Sequence, residues 1–463
     1  MLKKNLTCFI GILWCIKSSF AQTPTGFWEA IPGLDGSVDI IRVSGNDLIV
    51  GGLFTSADGD SNASHIAKWN GSGWEPLGIG LDDWAHAIIV DGNDLYVAGS
   101  FSKAGDQPGT SYIARWDGTN WNSVGGGLNL HVNALAVKDS ALYVGGVFRN
   151  AGGNPDADRI AKWNGANWEA MDKGLNNWVF TIAINNNGEI FAGGTFTAAA
   201  ADTNVKFIAK WNDVDSLWEP FGNGLNHQVH HIGFNGDQMY IGGYFTDAGG
   251  DPTADRIAKW NGTSWEGLGP GLNGNYDLAE VEEFAFDGDD IYVVGLFNII
   301  GDDSTFSNIA KWNGSAWEKM GIGVDQEARS LAILNDDLYI GGSFQSEVWG
   351  GDPYLPHIAK RSNFATAVED NNTAVIRDFK LYQNYPNPFN PTTKISWQSA
   401  AGSWQTLKIY DVLGNKVATL VDEYRPAGSY EVEFNAFNLP SGVYFYNLQS
   451  ENFKETKKLI LMK

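Results

Sequence analysis

Carboxylates and imidazoles are the groups in this chain best suited to chemistry. Asp277, Glu280, Glu282 and Glu283 crowd one short stretch. Paired carboxylates can cut a glycosidic bond when one of them holds a raised pKa and serves as the acid. The stretch belongs to a connection five residues longer than its counterparts, because Leu272 to Phe284 spans 12 places whereas Leu175 to Ile182 spans 7. His86, His131, His227, His230 and His231 offer imidazoles, expected on one loop face. A metal needs several ligands converging within about 2–2.5 Å of one ion. These histidines fall in three units spread around a wide ring, so no metal and no cofactor is expected. Asp58-Gly59-Asp60-Ser61-Asn62 alternates oxygen donors as calcium loops do, but it lacks the distal bidentate glutamate. A tight turn is the better expectation there. The chain has no Gly-x-Ser-x-Gly, no phosphate loop and no His-Glu-x-x-His.

A repeat must position these groups. Ile-Ala-Lys-Trp or a close variant ends at Trp69, Trp116, Trp163, Trp211, Trp260 and Trp312, and a seventh copy ends in Arg361. The intervals run from 47 to 52 residues. Such a period, with β-rich units and paired glycines, is the signature of propeller blades. A second tryptophan follows each copy at Trp74, Trp121, Trp168, Trp218, Trp265 and Trp317, whereas Trp28 precedes them all and nothing equivalent follows Arg361. The two partial units complete each other. The expected fold is therefore all-β: a seven-bladed β-propeller closed by the N-terminal strand, followed by a small C-terminal β-sandwich.

Each unit reads as four short strands. They are apolar rather than strictly alternating, as expected where neighbours cover both faces. Pairs such as Gly51-Gly52, Gly145-Gly146 and Gly242-Gly243 mark places where backbones approach closely. The repeated tryptophans are expected as filler between blades. Tight Asn-Gly and Asp-Gly turns join strands 1–2 and 3–4, so the longer 2–3 and 4–1 connections open on the other face, where function usually lives.

The copies also act as their own comparison. Two positions at the start of strand 1 do not repeat. The first reads Ser37, Trp84, His131, Trp178, Gln228, Glu280 and Glu327; the second reads Asp39, His86, Asn133, Phe180, His230, Glu282 and Arg329. Residues i and i+2 of a strand share a side, so both sets can face a channel mouth. The candidate ligand-binding rim is Trp84, His86, His131, Trp178, Phe180, His230, Glu280, Glu282 and Arg329, with no catalytic residue assigned. Trp349 and Tyr354, on a 2–3 connection, are the fallback location.

Composition narrows the class. Residues 1–21 have the form of a secretory signal, with Lys3 and Lys4 ahead of a short apolar run and Ser19-Phe20-Ala21 at the cleavage position. The run is well short of the roughly 20 residues of a membrane span. Both cysteines, Cys8 and Cys15, lie in this leader, which leaves no disulfide or thiolate chemistry afterwards. The net charge is −23, and residues from Thr366 onward are balanced, so the acidity sits on the repeat region. That argues against nucleic acid as a partner.

The Gly-Gly and tryptophan strands resemble kelch-type secreted propeller repeats from Phe27 to about Phe364. The remainder differs. It carries Tyr385-Pro386-Asn387-Pro388-Phe389-Asn390-Pro391, then Leu407 to Gly414, Gly428-Ser429-Tyr430, Leu439 to Tyr446 with Ser441, Gly442 and Tyr444, and Lys457-Lys458 to Lys463. This order and spacing resembles the type A C-terminal sorting domain of the type IX secretion system of Bacteroidota. The resemblance implies a small β-sandwich, passage through the periplasm to the cell surface or medium, and two partners: the type IX machinery and its C-terminal signal peptidase. Short strands between Pro and Gly turns agree with a sandwich. The expected organisation is a signal peptide over 1–21, the propeller over 22–365, and the sorting domain over 366–463. The expected function is an exported, monomeric, non-catalytic binding module for a glycan, peptide or surface protein. The alternatives are a polysaccharide hydrolase or lyase and a structural surface protein.

Overall fold

The computed structural model describes residues 28–463 apart from 223, 275–277, 347–354, 363–379, 382–383, 385, 400–402, 426–427 and 451–452. The expected signal segment 1–21, Asp277, Trp349, Tyr354 and Tyr385 therefore lie outside the described residues. The chain forms two compact units, Met1–Ala367 and Val368–Lys463. It is all-β, and its helical content among the described residues is three short 3-10 turns.

The first unit is propeller-like. Among its described residues are seven four-stranded antiparallel sheets. Five use consecutive strands, and a sixth does so apart from the short strand Ile299–Ile300 that intervenes before its third. The first, for example, pairs Val38–Ser44, Asp47–Gly52, Ile66–Trp69 and Trp74–Pro76 in order. The seventh joins Ala328–Leu334, Asp337–Gly342 and Ile358–Ser362 to the N-terminal Glu29–Ala30, with Glu29 opposite Lys360 and Ala30 opposite Ala359. The extra residues after Leu272 form a small ribbon in which Leu272–Asn273 pairs with Ile299–Ile300.

Tryptophans join the sheets. Trp69 and Trp74 face each other across neighbouring strands at 5.1 Å, and this pairing recurs in each of the next five sheets. The second tryptophan of the pair reaches the preceding unit. Trp121 Nε1 donates to Leu77 O, Trp168 to Gly125 O and Trp317 to Leu268 O. Trp28 follows the same rule from the seventh sheet, donating to Met320 O at 3.1 Å. Trp74 donates to Pro32 O, just beyond the strand Glu29–Ala30. Buried aromatic area of this kind dominates packing energetics, and in these five the indole N–H finds its partner in a loop carbonyl, whereas the buried indoles of Trp218 and Trp265 make no hydrogen bond.

The glycine pair does two jobs. A Cβ on the first glycine would strike the next sheet: Gly145 faces Val179, Gly193 faces Val229, and Gly341 of the seventh sheet faces Val38 of the first. A Cβ on the second would sit 2.0–2.4 Å from a backbone carbonyl of the adjoining first strand, as Gly52 does against Ser37 O and Gly99 against Trp84 O. That carbonyl also accepts a bond from the residue after the glycine, such as Leu53 N at 2.8 Å. On the same face, the 4–1 and 2–3 connections are tied by a repeated Asp or Asn: Asp35 accepts from Thr55 N, Asp82 from Ser102 N and Asn176 from Thr197 N.

The second unit packs a three-stranded sheet (Lys380–Leu381, Thr392–Ser399, Gly428–Asn435) against a four-stranded one (Lys416–Arg425, Ser403–Tyr410, Gly442–Ser450, Phe453–Leu461). Ile395, Trp397 and Phe434 of the first share a core with Leu407, Tyr446, Leu448 and Leu459 of the second.

The pairing of Glu29–Ala30 makes Trp28 a core residue, 1% exposed. Trp28→Ala should cost about 3–5 kcal/mol of stability, measured by chemical denaturation. An unchanged midpoint would overturn the role given to the N-terminal strand.

Candidate functional site

Every first strand of the seven sheets carries a β-bulge at its start. The register slips between Val38 and Ile40, Ala85 and Ala87, Val132 and Ala134, Val179 and Thr181, Val229 and His231, Val281 and Glu283, and Ala328 and Ser330. The residues left unpaired are Asp39, His86, Asn133, Phe180, His230, Glu282 and Arg329. A bulge re-aims the side chain it leaves unpaired. All seven line one shared cavity of about 390 Å³. The non-repeating position of the sequence is thus the bulged position of the structure.

The candidate rim residues fall into two groups. On one side, Ser100 Oγ lies 2.6 Å from His131 Nδ1 and 2.8 Å from His86 Nε2. His86 Nδ1 is 3.6 Å from Asp39. Arg329 bridges Asp39 at 2.6 Å and Glu327 at 2.8 Å. Burial pulls its pKa down, but the two carboxylates hold it above the ordinary value. Trp84 packs edge-on to His86 at 5.8 Å. On the other side, Trp178 packs on Phe180 at 6.1 Å, and Phe180 packs edge-on to His230 at 5.1 Å. Trp84 is 36% and Trp178 46% exposed, so neither is a plug.

His230 meets the acidic strand beside it. Its Nδ1 lies 3.3 Å from Glu282 Oε1 and 3.9 Å from Glu280 Oε2, and one donor atom from each of the three residues lies within 4.8 Å of the others. Glu280 lies beyond hydrogen-bond reach, and Glu282 is an ion-pair neighbour that makes no well-formed hydrogen bond to the ring. Burial together with the charge of Glu282 pushes Glu280 up to about 7. Burial lowers His230, but Glu282, Glu280 and Glu327 outweigh it and the imidazole is raised. His230 takes its neighbours from carboxylates of the adjacent first strand, not from other histidines.

Two other residues are placed differently from expectation, Glu283 and His231. Glu283 is not a free carboxylate: it is buried, paired with Arg42 at 2.8 Å, and accepts from Ser330 Oγ and Leu331 N. His231 sits deeper than the loop face, edge-on to Phe284 at 4.6 Å, and burial pushes it down to about 4. His227 is exposed, tilted against Tyr244 at 4.6 Å, and lines no part of the cavity. The Asp58–Asn62 segment is a capped turn, in which Asp60 accepts from Asn62 N.

Ser100, Arg42, Asp39 and Asn133 were not among the candidates. Ser100 occupies a position that reads Leu53, Val147, Thr195, Tyr244, Leu296 and Ser343 in the other copies. Arg42 stands where the others carry Ile89, Ala136, Ala183, Gly233, Ala285 and Ala332. The same comparison of copies contains both signals.

In the second unit the sorting motifs converge on the last strand. Asn387 accepts from Ile460 N and donates to Lys458 O, while Phe389 bonds Ile460 O and Met462 N through its backbone. Pro386 O accepts from Thr393 Oγ1, and Pro388 joins Pro386 in lining a small surface cavity. Ser441 Oγ accepts from Lys463 N, and Tyr444 donates to Pro440 O. Gly442 opens the strand that pairs with Phe453–Leu461, bringing Tyr446 opposite Lys457 and Phe445 opposite Lys458. Gly414 takes a positive φ of 83° in the turn capped by Asp411.

The family described as the secretion system C-terminal sorting domain matches residues 383–462. The domain indicates export to the cell surface or beyond, and it implies interaction with the type IX secretion machinery. Among the described residues no helix is long and apolar enough to cross a membrane. No curated protein matches the chain. Similar solved structures include the computationally designed Ika8 protein, at 15% identity over 72% of this chain and 98% of that one, TM-score 0.42. A chain of the mitotic checkpoint complex is 15% identical over 74% and 97%, TM-score 0.45. PorZ, a surface component of the type-IX secretion system of Porphyromonas gingivalis, is 13% identical over 92% and 66%, TM-score 0.32. All three likenesses are distant.

The raised groups set a pH dependence. Glu280 and His230 both bind protons more tightly folded than unfolded, so each stabilises the fold fully at low pH. The Glu280 contribution falls as pH rises from the ordinary carboxylate value of 4.5 through about 7, and the His230 contribution falls only above the ordinary imidazole value of 6.5. In metal-free buffer the melting temperature should drop across this window, and Glu280→Gln should flatten the drop. A slope unchanged by Glu280→Gln would overturn the assignment.

Proposed function

We propose that the chain is an exported binding module whose cavity takes a short glycan segment. One observation carries this reading: seven bulges aim seven different side chains into one cavity, while the scaffold around them repeats. A ligand site needs that asymmetry, because a symmetric ring recognises nothing in particular. The volume falls within the range of about 300–1,000 Å³ typical of small-ligand pockets. Half-exposed Trp84 and Trp178 offer apolar faces for sugar rings at low entropic cost. His86, His131, Asn133 and the acidic side chains supply the polar partners. The architecture in this proposal is a kelch-like seven-bladed ring closed by the N-terminal strand, supported by the Trp28 bond and by Gly341 against Val38. The monomeric state, and removal of the sorting domain by the C-terminal signal peptidase, belong to the same reading.

Hydrolysis is the second reading, and it draws on Glu280, which burial holds near 7 as an acid catalyst requires. The geometry favours it less. Glycosidase carboxylates flank the scissile bond, whereas Glu280 and Glu282 share one strand, one wall and one histidine.

A glycan array and calorimetry with the chain lacking its leader test the binding reading. Trp84→Ala and Trp178→Ala should each weaken binding by roughly tenfold or more, at about 1.4 kcal/mol per tenfold, with little change in melting temperature. Release of shorter sugars would favour the hydrolase. A stability loss of about 3–5 kcal/mol would make the tryptophans core instead.

Export has its own test. Deleting Lys454 to Lys463 removes the strand on which the sorting motifs converge. The truncated chain should accumulate in the periplasm. Normal levels at the surface or in the medium would overturn the role of that strand.

A further inference from the structure

We propose that His230, Glu280 and Glu282 form a binding site for a divalent transition-metal ion, zinc or a similar borderline cation, in the wall of the cavity. The donor atoms are already gathered: His230 Nδ1 is 3.3 Å from Glu282 Oε1 and 3.9 Å from Glu280 Oε2. Zinc–nitrogen and zinc–oxygen bonds of about 2.0–2.2 Å place tetrahedral ligands about 3.3–3.6 Å apart. Small side-chain rotations close the difference.

The imidazole supplies an independent observation. The His230 side chain is 11% exposed, its ring nitrogens make no well-formed hydrogen bond, and its Nδ1 meets only the two carboxylates. Buried polar atoms are almost always satisfied, and an exception calls for an explanation. A cation between the ring and the two carboxylates satisfies all three groups. Phe180 fixes the ring from behind, and the bulge at His230 aims it at the acidic strand. The two arginines lining the cavity are committed elsewhere, Arg329 to Asp39 and Glu327, and Arg42 to Glu283. Neither neutralises the pair.

The donor set selects the ion. Calcium and magnesium prefer shells of oxygen, six to eight in the case of calcium, whereas imidazole suits zinc, nickel, copper and related ions. Three protein ligands leave a coordination position open to the cavity, as in zinc sites that accept a further ligand. The site does not depend on the glycan reading, because its probe is the ion alone.

Chelator-treated full chain should be titrated with Zn²⁺ by calorimetry and with Co²⁺ by visible absorption. One ion per chain should bind, unaffected by excess Ca²⁺. Glu280→Gln, which keeps shape and removes charge, should weaken binding by roughly tenfold or more. His230→Ala should abolish the cobalt bands, and the exposed His227→Ala should change nothing. A melting curve on each variant separates loss of the site from loss of the fold. Absence of saturable uptake, or equal affinity in both Glu280→Gln and His230→Ala, would overturn the site and leave a proton as the occupant between the ring and the carboxylates.

Discussion

The close approach of two backbones in each sheet governs the rest of the first unit. The carbonyl at Ser37, Trp84, His131, Trp178, Gln228, Glu280 or Glu327 leans onto the neighbouring strand, where only a glycine leaves room. That contact accompanies a bulge in the first strand, and the bulge releases one side chain from the ladder. Replacing any of these glycines would place a Cβ against a carbonyl oxygen and force the strands apart. The repeated glycine is therefore not merely a packing convenience. It is the condition for presenting a variable residue inward from a constant frame. Stability and variability are separated by position: the tryptophans and second strands hold the sheets, and the bulged residues are free to differ.

Electrostatics divides the cavity into two sides. Asp39, Glu327 and Arg329 compensate one another, and Glu283 is neutralised by Arg42 deeper in. The charge left over gathers at Glu280, Glu282 and His230, where burial makes it expensive. Charge retained at such a cost is a common mark of a functional position. Phe180 and, through it, Trp178 stand beside this acidic wall, so apolar faces and a polar edge lie side by side.

The sorting domain shows a different relation between motif and structure. Its signature residues lie far apart in the chain, yet the side chains of Asn387 and Ser441 and the backbone of Phe389 all bond to the backbone of the final strand or its end. The spacing of these motifs reflects the sandwich that brings them together, which is why the order could be read so plainly without any contact being visible.

Much was legible in the sequence because a repeat reports its own constraints. The interval between Ile-Ala-Lys-Trp copies, the stray Trp28 and the copy ending in Arg361 with no tryptophan after it pointed to the sheets and their N-terminal partner. Seven copies aligned on each other exposed the variable positions, including all seven bulged residues. Which of those residues touch was a separate matter. Ser100 joining His86 to His131, Arg42 neutralising Glu283, and Glu280 reaching the histidine of the preceding unit all cross between sheets. Local pattern fixes a strand and the side of it a residue occupies, since that depends on neighbours along the chain. Contact between sheets depends on their spacing and on the bulge angle, which only the assembled tertiary structure determines. The burial that raises Glu280 and His230 arises at the same level, because it is the surrounding sheets that exclude the water.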